Sequence, residues 1–386
     1  MKTNTSNNIK FVCARNLGLP LWVILCTLGL IFSATAKPPG RVVTPFDAPG
    51  AGAAANQGTF PGGINTSGAI AGFIRDPNNV RQAFLRTNNG AFTVFNAPGA
   101  GTASFQGTRA YGLSEGGSIS GWYIDAAGVV HGYVRASHGS FTTFDAPNAG
   151  TGPYPQGTFP FGFNSINNAG AITGYANDVN GSGHGFLRTP AGTFVTFDVP
   201  GAGTLSGEGT YPWAINQSGV ITGYVWDASN AIHGFVRATD GTLTSFDVPG
   251  GGTGYGQGTN PLDINKTGSI TGYWVDASNV YHGFVRAPGG TFTTFDVPGA
   301  GTAANQGTSP SGINDAGAVM GNYTDANNVN HGFVRDANGN FFTVFDAPGA
   351  STAANQGTFP NLNNAGGAIT GIFIDTNSVY HGFVRR

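Results

Sequence analysis

The stretch Ile264–Gly299, INKTGSITGYWVDASNVYHGFVRAPGGTFTTFDVPG, recurs with small changes along the chain, and its reading decides the fold. A recurrence of this length marks one supersecondary unit stacked on copies of itself. The aromatic that closes the stretch measures the period: Phe46, Phe95, Phe144, Phe197, Phe246, Phe295 and Phe345 are 49, 49, 53, 49, 49 and 50 residues apart. Within one period the sequence reads as four strands. Leu262–Asn265 is a short strand A, and Asn265–Gly268 has the residues of a tight turn. Ser269–Asp276 is strand B, Tyr281–Arg286 strand C and Thr291–Asp296 strand D, followed by a connection of about 14 residues to the next period. Strand B is partly apolar on both sides, with Ile270, Gly272 and Trp274 facing one way and Thr271, Tyr273 and Val275 the other. A sheet apolar on both faces has to be sandwiched between neighbours, which is the condition of a propeller blade. The expectation is an all-β, seven-bladed β-propeller with four antiparallel strands per blade, a stacked β-solenoid being the rival.

The phase of the repeat predicts how the ring shuts. Residues 41–386 start with a lone strand D, Val43–Asp47, and end at Arg386, directly after a strand C. If the amino-terminal strand docks as the outermost strand of the last blade, both orphan strands are satisfied and the ring closes. Pro45 fits, because proline is tolerated on an edge strand but not inside a sheet.

Residues 1–36 read as a signal peptide, with basic Lys2, Lys10 and Arg15, an apolar run from Leu17 to Phe32 and small residues at Ser33–Ala36. Residues 37–40 read as a linker, and the apolar run is too short for a membrane span. The expected location is secreted and extracellular, with the periplasm or the cell surface as alternatives. Both cysteines, Cys13 and Cys26, lie in this leader, so the mature chain has none and depends on packing and closure for stability. The formal charge of -2 becomes about -5 without the leader, which leaves no basic surface for a nucleic-acid backbone.

One polar pattern repeats with the strands. Strand B ends in Asp76, Asp125, Asp178, Asp227, Asp276, Asp325 and Asp375, and six residues later come His131, His184, His233, His282, His331 and His381. Strand D ends in Asp145, Asp198, Asp247, Asp296 and Asp346, with Asp47 completing the last blade. Pairing His282 with Asp296 and with Asp276 centres the two hairpin turns on Gly289 and Asn279, so each blade is expected to carry an Asp, His, Asp row at one rim. The first blade has Asp76, Gln82 and Asn96 instead: both partners have become amides together, as expected of a coupled pair. A strut that locks three strands is the preferred reading of the row; a metal site is the alternative, since two carboxylates and an imidazole form part of a ligand set. Six equal copies do not make an active site. The arginines Arg86, Arg135, Arg188, Arg237, Arg286, Arg335 and Arg385, at the far end of strand C, are expected to reach carbonyls or a turn.

The connections from D to A share the rim of these rows, and loops on a rigid scaffold are where binding groups are placed. Most are monotonous, but Phe105, Tyr154, Phe159, Tyr211, Trp213 and Tyr255 break the pattern, with Arg109 and Glu208 nearby. They are the candidate ligand-face aromatics, suited to stacking on sugar rings. Glu115, Lys266 and Asp315 occupy A to B turns on the other face and read as surface variation. No nucleotide-binding, catalytic-serine or metalloprotease motif is present, so no catalytic, metal or cofactor residue is assigned.

The motif I-N-x-x-G-x-I-x-G followed by H-G-F-x-R resembles the bacterial HAF-type extracellular repeat, across essentially residues 41–386. The resemblance implies a secreted bacterial β-repeat protein and brings no established activity. Gln82-Ala83-Phe84 departs from it at the His. The functional expectation is a monomeric, non-enzymatic binding module whose loop face takes a glycan or a cell-surface protein. A structural matrix component and a hydrolase or lyase with its site at the central channel are the alternatives.

Overall fold

The computed structural model describes residues 41–386 apart from Phe341, so the expected signal peptide and linker lie outside the described residues. The chain is a seven-bladed β-propeller. Twenty-eight strands group as seven four-stranded antiparallel blades. Among the described residues no helix is long and apolar enough to cross a membrane.

Closure is as the phase predicts. The amino-terminal strand Val43–Phe46 pairs antiparallel with the last strand, Tyr380–Arg385, with Val43 opposite Arg385 and Phe46 opposite Gly382. The pairing extends outward through Val42 N to Arg386 O at 2.7 Å and Arg386 N to Val42 O at 3.0 Å. Pro45 lies exposed on this edge, where its missing N–H leaves no gap in the sheet.

Each blade is held to the next by one repeated sandwich. Phe84, Tyr133, Phe186, Phe235, Phe284, Phe333 and Phe383 on strand C are completely buried between blades, each worth roughly 1.5–3 kcal/mol of burial. The strand D aromatic lies against the strand C glycine of its own blade: a Cβ on Gly283 would come within 2.7 Å of the Phe295 ring and 3.0 Å of Pro310 in the next blade. On its other side the ring meets the strand C arginine of the following blade. Arg335 Cζ is 4.7 Å from the centroid of Phe295, and the same contact joins Arg86 to Phe46 and Arg385 to Phe345. The repeated arginines are therefore cation–π clasps between blades as well as the turn contacts expected of them, Arg86 and Arg237 donating to the carbonyls of Thr87 and Ala238 at 3.4 Å.

Strand A differs from its expected bounds, with consequences for the site. It runs Gly258–Ile264 in the fifth blade, beginning four residues before the expected Leu262. Gly258 makes this early start possible. It sits at φ +111° with the Ile232 carbonyl 2.0 Å from where a Cβ would lie, so the strand crosses tightly over the preceding blade. A bulge between Pro261 and Asp263 then restores the register. Loop closure uses a buried threonine: Thr259 Oγ1 accepts from Val248 N at 2.9 Å, and the corresponding bond recurs in all seven blades. The third blade has a short strand A, Gly157–Phe159, and extra residues before Ile166.

A mature chain lacking residues 41–47 should lose about 2 kcal/mol or more from the packing of Phe46 alone, and its melting temperature should drop accordingly. A circular permutant that carries the same residues behind Arg386, joined by a copy of the Ala287–Thr291 turn, should keep the wild-type melting temperature. Equal melting of deletion and full-length chains would mean that the strand does not close the ring.

Candidate functional site

The Asp, His, Asp rows form at the rim that carries the long loops. His131 Nδ1 lies 2.9 Å from Asp145, and the other five histidines are 3.0 Å from Asp198, Asp247, Asp296, Asp346 and Asp47. The second carboxylate is farther, 3.3–3.7 Å from Nε2. The register explains the asymmetry and corrects the expected pairing. His282 opposes Trp274, not Asp276, and stacks on it with centroids 4.3 Å apart. Asp276 instead caps the B to C turn, its Oδ1 accepting from Ser278 N and Val280 N at 2.8 Å, while Asn279 takes a left-handed conformation. Only its Oδ2 is free to face the imidazole. Both ring nitrogens thus face carboxylates directly, and a shared metal would need these atoms about 2.0–2.2 Å from a common point. In the first blade Gln82 Nε2 reaches Asp76 at 3.5 Å.

The charged A to B turn residues read as surface variation instead ring one mouth of the central channel. Thr66 N donates to Glu115 Oε2 at 2.9 Å, and Lys266 N donates to Asp315 Oδ1 at 3.0 Å, so each carboxylate bridges neighbouring blades. Beneath them runs a belt of side-chain amides: Asn167, Asn216, Asn265, Asn314 and Asn364 each donate to the carbonyl one blade on, and Asn364 to Asn65 O at 2.8 Å spans the closure. The cavity at this mouth is about 210 Å³. Deeper in the channel lies Asp263, 1% exposed, at a position held by Gly63 and Gly312 in other blades. It accepts from Asn164 Nδ2 at 2.7 Å, Ile264 N at 2.9 Å and Ile313 N at 2.8 Å. Burial pushes its pKa up to about 6 against these three bonds. Asn164 belongs to the third-blade insertion, so this pair ties blades three, five and six across the axis. Both oxygens are engaged, and the carboxylate faces no open space.

The six candidate aromatics separate sharply. Phe159, 2% exposed, and Tyr211, 8% exposed, lie in strand A and pack in the interior, a correction that follows from the early start of that strand. Trp213 is half-buried beside Tyr224 in a groove between blades four and five. Tyr255, 77% exposed, meets Trp226 edge-on above the same groove. Glu208 replaces a loop-capping glutamine: its Oε2 accepts from Leu205 N at 2.9 Å, as Gln306 Oε1 accepts from Ala303 N. Phe105 and Tyr154, 54% and 62% exposed, flank a pocket of about 420 Å³ lined also by Arg81, Gln106, Arg109 and Pro153. Phe105 stands at φ +65°, where other loops place Asn56, Asn305 and Asn355. A bulky residue in the left-handed region costs on the order of 1–3 kcal/mol, and such strain concentrates at binding sites. Arg81 had no part in the sequence reading; its signal is an arginine in a column where the other repeats carry neutral residues.

Neither a family model nor a curated protein matches this chain. Among solved structures it is similar to the β-propeller domain of the Trilobed protease from Pyrococcus furiosus, at 10% identity and TM-score 0.49, covering 85% of this chain and 95% of that one. It is similar also to the BP39L lectin from Burkholderia pseudomallei, at 11% identity and TM-score 0.49, covering 84% and 97%. TolB from Acinetobacter baumannii matches at 12% identity and TM-score 0.45 over 72% of this chain, which spans 63% of that protein. These likenesses concern the fold and say nothing of a ligand.

Two pH windows follow from the rows and the channel. The Asp145 hydrogen bond raises the His131 pKa above 6.5 despite burial. Burial lowers that of His233, but Asp247 outweighs it and the net shift is also upward. A raised folded-state pKa stabilises below the unfolded value and loses that stabilisation as pH climbs through the folded one. Asp263 should therefore cost stability between about pH 4 and 6, and His131 and His233 above 6.5. Melting temperatures of the mature chain should fall across the upper window, and falls should shrink in a His131→Gln, Asp145→Asn double variant built on the first-blade pattern. A flat or rising profile above pH 6.5 would remove His131 and His233 from the stability account.

Proposed function

We propose that the chain is a secreted, non-enzymatic propeller of the HAF-repeat type that binds saccharides at its loop face, in the pocket between Phe105 and Tyr154. The observation that carries this is the coincidence at one place of two exposed aromatic rings, a strained backbone at Phe105, and the guanidinium of Arg109. Exposed rings beside donors suit a sugar, whose C–H face stacks while its hydroxyls take hydrogen bonds. The other loops repeat one self-capped design, which gives the face rigidity and leaves the departures to select a ligand. Secretion rests on the leader, residues 1–36, and on a mature chain without cysteine.

A matrix role is the second reading, supported by the near-identity of the loops in blades six and seven. Channel catalysis has less to support it, because Asp263 has both oxygens engaged in bonds that tie blades together.

The mature chain, residues 37–386, should bind members of a broad polysaccharide and glycan array with or without chelator, and Phe105→Ala with Tyr154→Ala should reduce that binding at least tenfold. Loss on chelation would move the site to the carboxylate rows. Silence throughout would exclude saccharides and leave the matrix role or a protein partner.

A further inference from the structure

Arg81 and Arg109 line this pocket, Arg75 lies directly across the strand pair from Arg81, and no other blade has any of the three. Arg75 ends strand B of the first blade, Arg81 begins its strand C, and Arg109 is the third residue of strand A in the second blade. The equivalent positions elsewhere hold neutral residues, among them Ile124, Val130 and Phe159. None of the three is ion-paired among the described residues; the salt bridges there are the His–Asp rows and Lys266 with Asp315. Arg75 and Arg81 donate to the carbonyls of Asn56 and Phe105, and Arg109 Nη1 donates to the Tyr111 hydroxyl at 3.2 Å. Each guanidinium has five N–H groups, so most of their donor capacity is unspent.

Aromatic rings stand where counter-ions are missing. Arg75 and Arg81 place Cζ 5.7 and 5.5 Å from the Phe105 centroid, and Arg109 lies 4.2 Å from Trp122. Ring faces attract the cations and hold their planes without neutralising them. Arg81 is only 6% exposed. Its pKa is pushed down to about 9 by burial and then by the charges of Arg109 and Arg75. Gathering three like charges here destabilises the empty fold, and an anion in the pocket relieves that repulsion.

We propose that Arg75, Arg81 and Arg109 form an anion-recognising subsite that takes the carboxylate of an acidic saccharide, a uronic-acid residue whose ring stacks between Phe105 and Tyr154. This rests on the saccharide-binding reading and narrows it. A carboxylate matches the planar fork of a guanidinium with two parallel hydrogen bonds. The sugar ring accounts for the exposed aromatics, which a bare inorganic anion would not use. A long polyanion such as nucleic acid is disfavoured by the remaining surface, since the mature chain carries about five net negative charges.

The test is titration calorimetry of the mature chain with oligomers of galacturonate, of mannuronate and guluronate, and of a glucuronate-containing chain, against neutral galactose and glucose oligomers, a sulfated oligosaccharide and inorganic phosphate. At least one oligouronate should bind, more weakly as salt rises, and Arg75→Gln or Arg109→Gln should weaken it at least tenfold. Val344→Ala, on the exposed outer strand of the sixth blade, should leave it unchanged. Because one like charge is removed, Arg109→Gln without ligand should melt no lower than wild type, which separates lost recognition from lost folding. Oligouronate binding indifferent to both arginine variants would overturn the subsite. Preferential binding of the sulfated oligomer or phosphate would overturn the carboxylate assignment. Binding of neutral oligomers alone, sensitive to Phe105→Ala, would reject the subsite and leave the saccharide reading intact, whereas no binding by any sugar would reject both.

Discussion

The contact on which the ring depends is the phenylalanine of strand D, held between the glycine of its own strand C and the arginine of the next blade. Its geometry sets the composition of the repeat. A Cβ on Gly132 or Gly234 would lie within 2.5 Å of the ring, so His-Gly-Phe carries glycine where the ring lies closest. The first blade has Ala83 there, fully buried against its neighbours, which shows that one methyl can be absorbed at a single seam. Each blade supplies a ring to the following one and a guanidinium to the preceding one. An open array would leave an unmatched ring at one end and an unmatched guanidinium at the other. Docking of the first strand on the last, which sets Phe46 against Arg86, satisfies both.

A scaffold so repetitive makes its departures informative. Most of them serve the scaffold itself. Glu208 caps a loop, Asp263 and Asn164 tie blades across the axis, and Glu115 and Asp315 receive main-chain donors from a neighbouring blade. Their polar atoms are engaged and their cost is repaid within the fold. The arginines of blades one and two are the other kind. They sit without carboxylates beside the exposed rings of Phe105 and Tyr154, and each spends only part of its donor capacity within the fold. That contrast between engaged and unengaged polar groups is what distinguishes a strut from a site.

The histidine rows show how near sequence reasoning came and where it stopped. His282 with Asp296 follows from the C to D hairpin and needs no further knowledge. Its pairing with Asp276 does not follow, because the B to C turn contains a left-handed Asn279 and Asp276 is spent on capping it. The turn built around this left-handed residue shifts the register by two residues, which moves the aromatic of strand B opposite the imidazole. Similarly, strand A starts four residues early because Gly258 can cross close over Ile232, and that alone moves Phe159 and Tyr211 from the loop face to the interior.

By itself the sequence determined the number of blades, the four strands of each and the closure, because period and phase are counted along the chain and hydrophobic alternation is local. It also determined that six histidines each have a carboxylate partner. The site was decided only in three dimensions. Arg75, Arg81 and Arg109 span 35 positions and two blades, and each alone is a single charge in a strand. Their meaning depends on which neighbours lack a carboxylate and which rings lie beneath them, and non-local packing settles that.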